Sequence, residues 1–197
     1  MSAGDEGQPT QATAASGETV AYRSLEEFLA AVERRAFRTA MIATRQRDDA
    51  LDIVQDAMCK LVQNYRQRPN HEWAPLFQTI LQSRITDFHR RKKYRGMIFG
   101  WWDRRGGDDD ESPLDSVADA TQANPLNEVN TQRAVDALEI ALQRLPLRQQ
   151  QAFMLRTWEG FDVATTAQVM GCSEGSVKTH LSRALSALRE CLGEDWP

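Results

Sequence analysis

Apolar residues recur at intervals of three and four along most of the chain, and no stretch of any length alternates apolar with polar residues. The first spacing places apolar side chains on one face of an α-helix, whereas strict alternation is typical of a half-buried strand. The pattern therefore predicts an all-α fold with two helical domains, an N-terminal helical bundle and a C-terminal helical unit, joined by a segment without periodicity.

The N-terminal bundle is predicted to contain three helices. Ser24 is followed three residues later by glutamate, a capping box that opens a helix ending near Thr44. A second apolar stripe predicts a helix over 48–65, and Pro75 is placed to begin the third helix, which runs into a cationic cluster. We expect this bundle to occupy residues 21–95.

The C-terminal pattern predicts a helix-turn-helix. A helical stripe over 149–158 ends at Gly160, a short helix follows over 163–170, and a turn at 171–173 leads into a long helix over 174–192. Two helices joined by a three- or four-residue turn that contains glycine are typical of this motif. Ser173 is placed to cap the second helix with its hydroxyl.

The long last helix separates an apolar face from a polar face. The polar face is rich in hydroxyl and cationic side chains, the groups that reach base edges and phosphates when such a helix enters a groove of DNA. An ordinary amphipathic helix with a solvated face would show the same periodicity. The helix, the glycine turn, the cap and the cationic face together favour DNA binding.

Charge is distributed in blocks, although the 197-residue chain has a net charge of only −4. Residues 84–95 hold six cations and one acid, and residues 106–128 hold seven acids and no base. The second block falls in a segment rich in Gly, Asp, Ser and Pro, which predicts an acidic flexible linker over 96–127 and a C-terminal domain over 128–197. Residues 1–20 are predicted to be a disordered tail.

The sequence predicts no catalytic residue, metal site, cofactor or membrane insertion. The three cysteines lie far apart with no C-x-x-C pair, which is typical of the reducing cytoplasm, and we expect Cys59 and Cys191 to be buried. No apolar run approaches the roughly eighteen residues of a membrane span. The first twenty residues hold no Lys or Arg and do not form a signal peptide.

Three motifs resemble those of bacterial RNA polymerase sigma factors of the extracytoplasmic-function type, within the sigma-70 family. Residues 52–56, D-I-V-Q-D, are similar to the D-x-x-Q-E/D motif of the family, and residues 80–90 to its I-x-x-N-x-x-x-D-x-x-R element. Residues 171–178, G-C-S-E-G-S-V-K, are close to its G-C-S-E-G-T-V-K signature. The resemblance covers about residues 28–192 and implies a promoter-specificity subunit without enzymatic activity.

By this resemblance the first motif binds the β′ coiled coil of core RNA polymerase. The implied contacts are Asp52, Ile53, Gln55 and Asp56. The polymerase β subunit, promoter DNA and an anti-sigma factor are the other implied partners, with no small-molecule substrate. The acidic linker is implied to thread through the polymerase toward its active-site cleft, where negative charge can imitate RNA.

The second element implies contacts with the −10 promoter region and assistance in melting it. The implied residues are Tyr65, Trp73, Ser83, Arg84, Asp87, Arg90, Arg91, Lys92, Lys93 and Arg95. Cations neutralise duplex phosphates without sequence preference, and aromatic rings stack on unpaired bases. Trp73 is equally compatible with a place in the core. Ser83 stands where the family usually has Asn, and Leu76 where it usually has Trp, which bears on the usual base contacts.

The third motif implies that the last helix reads the −35 element in the major groove. The implied contacts are Ser173, Ser176, Lys178, Thr179, His180 and Arg183. The preceding helix departs from the family at 164–166, where Ala-Thr-Thr replaces the usual Glu-Glu-Ile. Thr166 in place of an apolar residue would loosen the packing of the two helices or mark a subfamily.

Two other classes of function account for only part of the sequence. A free-standing dimeric helix-turn-helix regulator would account for the C-terminal unit, but it leaves the 52–56 motif and the basic run without a role. An enzyme such as a nuclease would need the acids at 108–111 to bind a metal ion. Consecutive acids in a glycine-rich linker do not converge on one ion without a rigid scaffold.

Overall fold

The computed structural model of the protein describes residues 22–103 and 126–193, with side chains from 22 to 94 and from 135 to 193. Across these residues the chain forms seven α-helices and no strand, which confirms the all-α prediction. The helices are α1 (Leu25–Thr44), α2 (Arg47–Tyr65), α3 (Asn70–Asp103), α4 (Leu126–Arg144), α5 (Leu147–Phe153), α6 (Val163–Met170) and α7 (Glu174–Leu192), and a π-helical turn, Met154–Trp158, follows α5. The expected tail, 1–20, and most of the expected linker, 104–125, lie outside the described residues.

Helix α1 begins at the predicted capping box. The Ser24 hydroxyl accepts a hydrogen bond from the backbone N–H of Glu27 at 3.2 Å. The Glu27 carboxylate accepts one from the backbone N–H of Arg23 at 2.8 Å, one residue before the cap. Both ends of the box therefore satisfy donors that an uncapped helix would leave without a partner, and the predicted end at Thr44 is confirmed.

Helix α3 is longer at both ends than the sequence predicted. It begins at Asn70, so the prediction that Pro75 opens it is wrong. The indole N–H of buried Trp73 donates to the carbonyl of Arg68 at 3.0 Å, which anchors an additional first turn, although Pro75 cannot donate to a carbonyl one turn back. The helix also continues past Arg95 through Gly96, because extending a formed helix is cooperative and one glycine costs only about 1 kcal/mol.

The N-terminal core lies where α1, α2 and α3 meet. Phe28 is 1% exposed at its centre, with its ring 5.2 Å from that of Tyr22 and 6.0 Å from those of Trp73 and Phe77. Small residues on α1 and α2, such as Ala36, allow the helices to approach closely. This packing holds the exposed faces of α2 and α3 side by side.

Two clusters form the C-terminal core, and the π-helical turn contributes to both. Met154 packs with the cluster between α4, α5 and α7, whereas the next residue, Leu155, packs with the cluster between α5, α6 and α7. The predicted bounds of the last two helices, 163–170 and 174–192, agree with those of α6 and α7. These contacts fix the helix-turn-helix against the rest of the C-terminal half.

The two halves of the chain pack directly against each other. Ile42 lies on α1 but is 1% exposed within the C-terminal cluster of α4, α5 and α7. Polar contacts also join the halves: Arg38–Glu139 at 2.9 Å, Arg35–Glu159 at 3.7 Å, Gln151 Nε2–Thr86 Oγ1 at 3.2 Å, and a hydrogen bond from the Arg45 guanidinium to the carbonyl of Gln143. The sequence contained no signal for this interface.

The predicted burial of two cysteines is wrong. Cys59 and Cys191 are both exposed. Cys59 falls beside the buried stripe of α2, which runs through Ala57 and Leu61. In the last turn of α7 the chain buries Leu192 in place of Cys191.

Candidate nucleic-acid interface

The turn between α6 and α7 is closed by backbone hydrogen bonds and a glycine. Gly171 has a φ of 62°, a left-handed conformation that glycine adopts without steric cost. The N–H groups of Gly171 and Cys172 donate to the carbonyls of Gln168 and Ala167, which is the Schellman arrangement of a helix end. Ser173 then caps α7 by accepting from the N–H of Ser176 at 3.2 Å, as predicted.

The start of α6 is held by a second cap. The Asp162 carboxylate accepts from the backbone N–H of Thr165 at 2.7 Å, and this hydrogen bond lowers the pKa of Asp162. Thr166 is fully buried, and its hydroxyl donates to the carbonyl of Asp162 at 2.7 Å. The hydroxyl that replaces the usual apolar group is thus satisfied within its own helix.

Arg148 supports the turn from outside the helix-turn-helix, a role that the sequence did not reveal. Its Nη1 donates to the carbonyl of Met170 at 2.8 Å, at the end of α6, and to Gln151 Oε1 at 3.3 Å. Arg148 belongs to the L-P-L-R-Q-Q opening that resembles the family's L-P-x-R-x-R pattern. The sequence does not reveal the hydrogen bond, because the carbonyl of Met170 lies on another helix.

The polar face of α7 points to solvent while its apolar face is buried. Val177, Ala184 and Leu188 are each 0% exposed. The predicted −35 residues lie on the other side: Ser173, Lys178, Thr179 and Arg183 are exposed, and Ser176 and His180 are partly exposed. These six side chains occupy the N-terminal half of α7 and the turn before it, where a recognition helix meets base edges.

The 52–56 motif presents its polar residues along one side of α2. Asp52, Gln55 and Asp56 are exposed. Ile53 is 9% exposed and packs in the N-terminal core. The structure therefore leaves the polar members of the motif available for contact and assigns Ile53 to packing.

The expected −10 residues follow α3 and the end of α2. Ser83 is exposed, and Tyr65 and Asp87 are partly buried, with the Asp87 carboxylate 3.1 Å from Nη2 of Arg90. Beyond them lies an exposed cationic run, Arg90, Arg91, Lys92 and Lys93. Arg95 lies in α3, but its side chain is outside the described part of the chain.

Trp73 belongs to the core rather than to this surface. Its side chain is 7% exposed, it packs against Phe28, and its indole N–H is used by the carbonyl of Arg68. Stacking on a base would require the ring to leave this site. Of the two alternatives for Trp73, its position favours the core.

Arg84 is turned toward α2 instead of toward the cationic run. Its Nε lies 2.5 Å from Oδ2 of Asp56, and the two side chains are 22% and 48% exposed. A residue expected at the −10 surface is thus paired with a residue of the expected polymerase-binding motif. Because the partners lie on different helices, the sequence pattern did not reveal the pair.

A buried carboxylate lies at the boundary between the two halves. Glu159, just after the π-helical turn, is 8% exposed and faces Arg35 of α1 and Gln78 of α3. Burial raises the pKa of Glu159, and the Arg35 guanidinium at 3.7 Å opposes that effect only in part. The ionised carboxylate is therefore costly in this position.

Within the described residues, no group of three or more His, Cys, Asp or Glu side chains is arranged to hold a metal ion. The acids at 108–111, which an enzyme such as a nuclease would need for a metal ion, lie outside the described residues. None of the helices in the described part of the chain has the length and apolar character needed to cross a membrane.

Comparisons with known proteins agree with these features. The family model for Sigma-70, region 4 matches residues 136–188. The RNA polymerase sigma-E factor of Streptomyces antibioticus is 30% identical over 142 residues, 72% of this chain and 69% of that protein. The ECF RNA polymerase sigma factor SigM of Mycobacterium tuberculosis is 29% identical over 160 residues, 81% of this chain and 72% of that protein.

A solved structure shows the same fold along most of the chain. It is the sigma factor RpoE in complex with the anti-sigma factor NepR from Bartonella quintana, with a TM-score of 0.62 and 26% sequence identity. The match covers 87% of this chain and 98% of that chain. Together with the capped helix-turn-helix and the extent of the Streptomyces match, these findings show that the chain belongs to the RNA polymerase sigma factors of the extracytoplasmic-function type.

Proposed function

We propose that this sigma factor binds core RNA polymerase, directs it to promoters by reading a −35 and a −10 element, and assists in melting the DNA. It contributes binding and no enzymatic chemistry of its own, and it acts in the cytoplasm, where the polymerase meets the chromosome. The observation that carries the proposal is the exposed polar face of α7, which a capped glycine turn holds on the surface.

In this proposal α7 enters the major groove at the −35 element. The N-terminal half of the helix would contact base edges, with Lys178 and Arg183 as the long cationic side chains and Thr179 and His180 beside them. Each well-formed contact to a base edge contributes about 1–3 kcal/mol of discrimination. Support comes from the exposure of both cations, neither of which has an ion-pair partner among the described residues.

We assign the −10 region to α3 and the end of α2. Ser83, Asp87 and Tyr65 lie close enough to line one groove of about 300 Å³. The exposed run at 90–93 would neutralise phosphates of the adjoining duplex in a salt-dependent way. Because Ser83 is shorter than the asparagine usual in the family, we expect a different base preference there.

Asp52, Gln55 and Asp56 form the proposed contact with the β′ coiled coil. All three are exposed on one side of α2, and the opposite side of the helix is buried in the core. A rigid helix that presents two carboxylates and an amide suits a partner surface rich in cations. We propose two domains, residues 21–95 and residues 128–197. Helix α3 continues beyond the first domain and ends at Asp103.

The two halves that carry the proposed promoter surfaces meet at a cleft in this structure. Ser83 and Asp87 share a cleft of about 280 Å³ with Arg148, Met170 and Gly171. The −35 and −10 elements are centred about 25 base pairs apart, or about 85 Å at about 3.4 Å per base pair. We therefore expect the halves to separate when the sigma factor engages polymerase and promoter.

Two cysteines allow the expected separation to be measured. Labels on exposed Cys59 and partly exposed Cys172, in a Cys191→Ser variant, report the distance between the halves. The distance should increase when core polymerase and promoter DNA are added. An unchanged distance in the assembled complex would contradict the separation.

We also propose that an anti-sigma protein binds this chain. The basis is the solved RpoE, which matches most of the chain and whose structure contains the anti-sigma factor NepR. Nothing in the described residues identifies the partner. Co-purification from the source cell in a one-to-one complex that blocks binding to core polymerase would support the proposal, and full activity in all cell extracts would contradict it.

Run-off transcription with purified bacterial core polymerase tests the main proposal. A promoter taken from upstream of its own gene should give a defined transcript only when the chain is present. Gln55→Ala should weaken association with core, and Lys178→Ala with Arg183→Ala should abolish promoter selection while core binding persists. Glu190→Ala, exposed at the other end of α7, is the matched control.

The alternative function predicts a different result in the same assay. A free-standing dimeric regulator would bind a palindromic duplex tightly, without associating with core polymerase and without supporting a transcript. That combination would overturn the sigma-factor proposal for this chain.

A further inference from the structure

Arg84 and Asp56 form the ion pair that joins α2 to α3, and among the described residues no other ion pair links these helices. The pair is partly buried, with Nε of Arg84 2.5 Å from Oδ2 of Asp56. The guanidinium is a planar group whose donors have fixed directions. An arginine engaged in this way fixes the position of its carboxylate partner more strictly than a lysine ammonium would.

Arg84 also stands between two clefts. One, of about 250 Å³, is lined by Asp52 and Asp56 of the proposed polymerase-binding motif. The other, of about 300 Å³, is lined by Tyr65 and Ser83 of the proposed −10 surface. Arg84 lines both clefts, so its side chain forms part of the wall that separates the two proposed binding surfaces.

We propose that Arg84 is a positioning residue for polymerase binding and does not contact DNA. It holds Asp56 in the orientation in which α2 presents it, and it links that carboxylate to the helix that carries the −10 surface. This inference rests on the proposed role of the 52–56 motif. It removes Arg84 from the DNA contacts that the family resemblance implied.

The orientation of Arg84 explains why a DNA role is unfavourable. Its side chain is 22% exposed, whereas Arg90 in the cationic run is 68% exposed. To reach a phosphate, Arg84 would have to break its ion pair with Asp56. Arg91 lines the same 250 Å³ cleft two turns later, but it is exposed and has no ion-pair partner among the described residues.

A double-mutant cycle on the full-length chain tests the inference. The variants are Arg84→Gln, Asp56→Asn and their combination, with Arg84→Lys as the conservative substitution and Arg91→Gln as the matched control. Two quantities are measured for each: the Kd for core polymerase, and the salt dependence of promoter-fragment binding by the assembled holoenzyme. Circular dichroism establishes that each variant is folded.

We expect Arg84→Gln to weaken core binding by roughly two- to tenfold, in the range of partly buried pairs. Asp56→Asn should weaken it at least as much, and the double variant should be no weaker than Asp56→Asn alone, because Arg84 acts through Asp56. Arg84→Lys should recover part of the loss. The salt slope should be unchanged in Arg84→Gln and reduced by about one in Arg91→Gln, as for a lost phosphate contact.

Other results would overturn either the inference about Arg84 alone or the proposed role of the 52–56 motif as well. An additive double variant would mean that Arg84 acts on core binding independently of Asp56. A salt slope reduced by about one in Arg84→Gln, with unchanged core affinity, would make Arg84 a DNA contact. Either result would overturn the inference alone. Unchanged core affinity in both Asp56→Asn and Arg84→Gln would overturn the proposed role of the 52–56 motif, and the inference with it.

Discussion

The helix-turn-helix and the α2–α3 surface both present charged side chains to solvent. The contacts that hold each surface in place span different distances along the sequence. In the helix-turn-helix, Asp162 and Ser173 each accept from a backbone N–H three residues later, and Gly171 closes the turn within five residues. On the α2–α3 surface the central contact joins Asp56 to Arg84 on another helix. Local hydrogen bonds thus shape the turn, to which Arg148 adds one contact from α5, whereas packing of distant segments builds the α2–α3 surface.

This difference matters for how each surface can change. A locally capped turn keeps its shape wherever the C-terminal half moves, which suits a unit that has to leave the N-terminal half and enter a DNA groove. A surface shared by two helices depends on their packing, so a change at one proposed binding face reaches the other. The boundary between the halves has both apolar and polar contacts, because Ile42 is a buried apolar anchor and charged pairs also join the halves.

The largest expected effect comes from removing that anchor. Ile42→Ala should lower the free energy of unfolding by about 2–5 kcal/mol, the cost of truncating a large buried side chain. Urea unfolding followed by circular dichroism measures the change. Leu51→Ala, at a residue of α2 that is 37% exposed, should stay within about 0.5 kcal/mol. Equal effects of the two substitutions would mean that the halves do not depend on this contact.

A smaller effect tests the local construction of the turn. Gly171→Ala places a methyl group with no other atom within 4 Å, so its cost arises from the φ of 62° alone and should be about 1–2 kcal/mol. Gly175→Ala, inside α7, should instead stabilise the protein by roughly 0.5–1 kcal/mol. Thermal unfolding compares the stabilities of the two variants. A change in stability of the same sign in both would contradict the requirement for a glycine at position 171.

The next effect separates capping from DNA contact at one residue. Ser173→Ala should destabilise the protein by about 1 kcal/mol through loss of the α7 cap, whereas Ser173→Asn keeps an acceptor and should remain close to wild type. Unfolding free energies and binding of the holoenzyme to a −35 fragment are measured together. Lost DNA binding with unchanged stability in Ser173→Ala would assign this hydroxyl to the DNA and not to the cap.

The smallest effect concerns pH at the boundary between the halves. Burial raises the pKa of Glu159 above its ordinary value of 4.5, so between those two values the folded protein holds a proton that the unfolded chain releases. The contribution of Glu159 to the free energy of unfolding is therefore complete below pH 4.5. It is lost as the pH rises through the raised pKa of the folded protein. Glu159→Gln should remove this pH-dependent contribution to the free energy of unfolding.

Unfolding free energies across that pH range check the prediction at Glu159. The wild type should lose stability relative to Glu159→Gln as the pH rises. Glu139→Gln, which removes the carboxylate of the Arg38–Glu139 ion pair, controls for loss of a charge at the same interface. A constant difference between wild type and Glu159→Gln at every pH would contradict the prediction.

Much of the candidate −35 surface followed from sequence, and less of the N-terminal surface did. The bounds of α6 and α7, the Ser173 cap and the exposed cations of α7 were predicted from glycine, serine and the helical period. By contrast, the apolar period did not distinguish a buried Trp73 from an exposed one, and it placed Cys191 on the buried stripe of α7 although that side chain is exposed. A periodic pattern reports which face of a helix is apolar, and it does not report what packs against that face.

The sequence by itself determined the all-α class, the caps of α1 and α7 and the glycine turn, because each depends on residues within a turn or two of one another. Tertiary structure decided where α3 begins, which way Arg84 points, and that Ile42 of the N-terminal half is buried in the C-terminal core. Those outcomes depend on bringing distant segments together. Which of them meet is set by the total surface that the fold buries, and no local pattern in the chain encodes that choice.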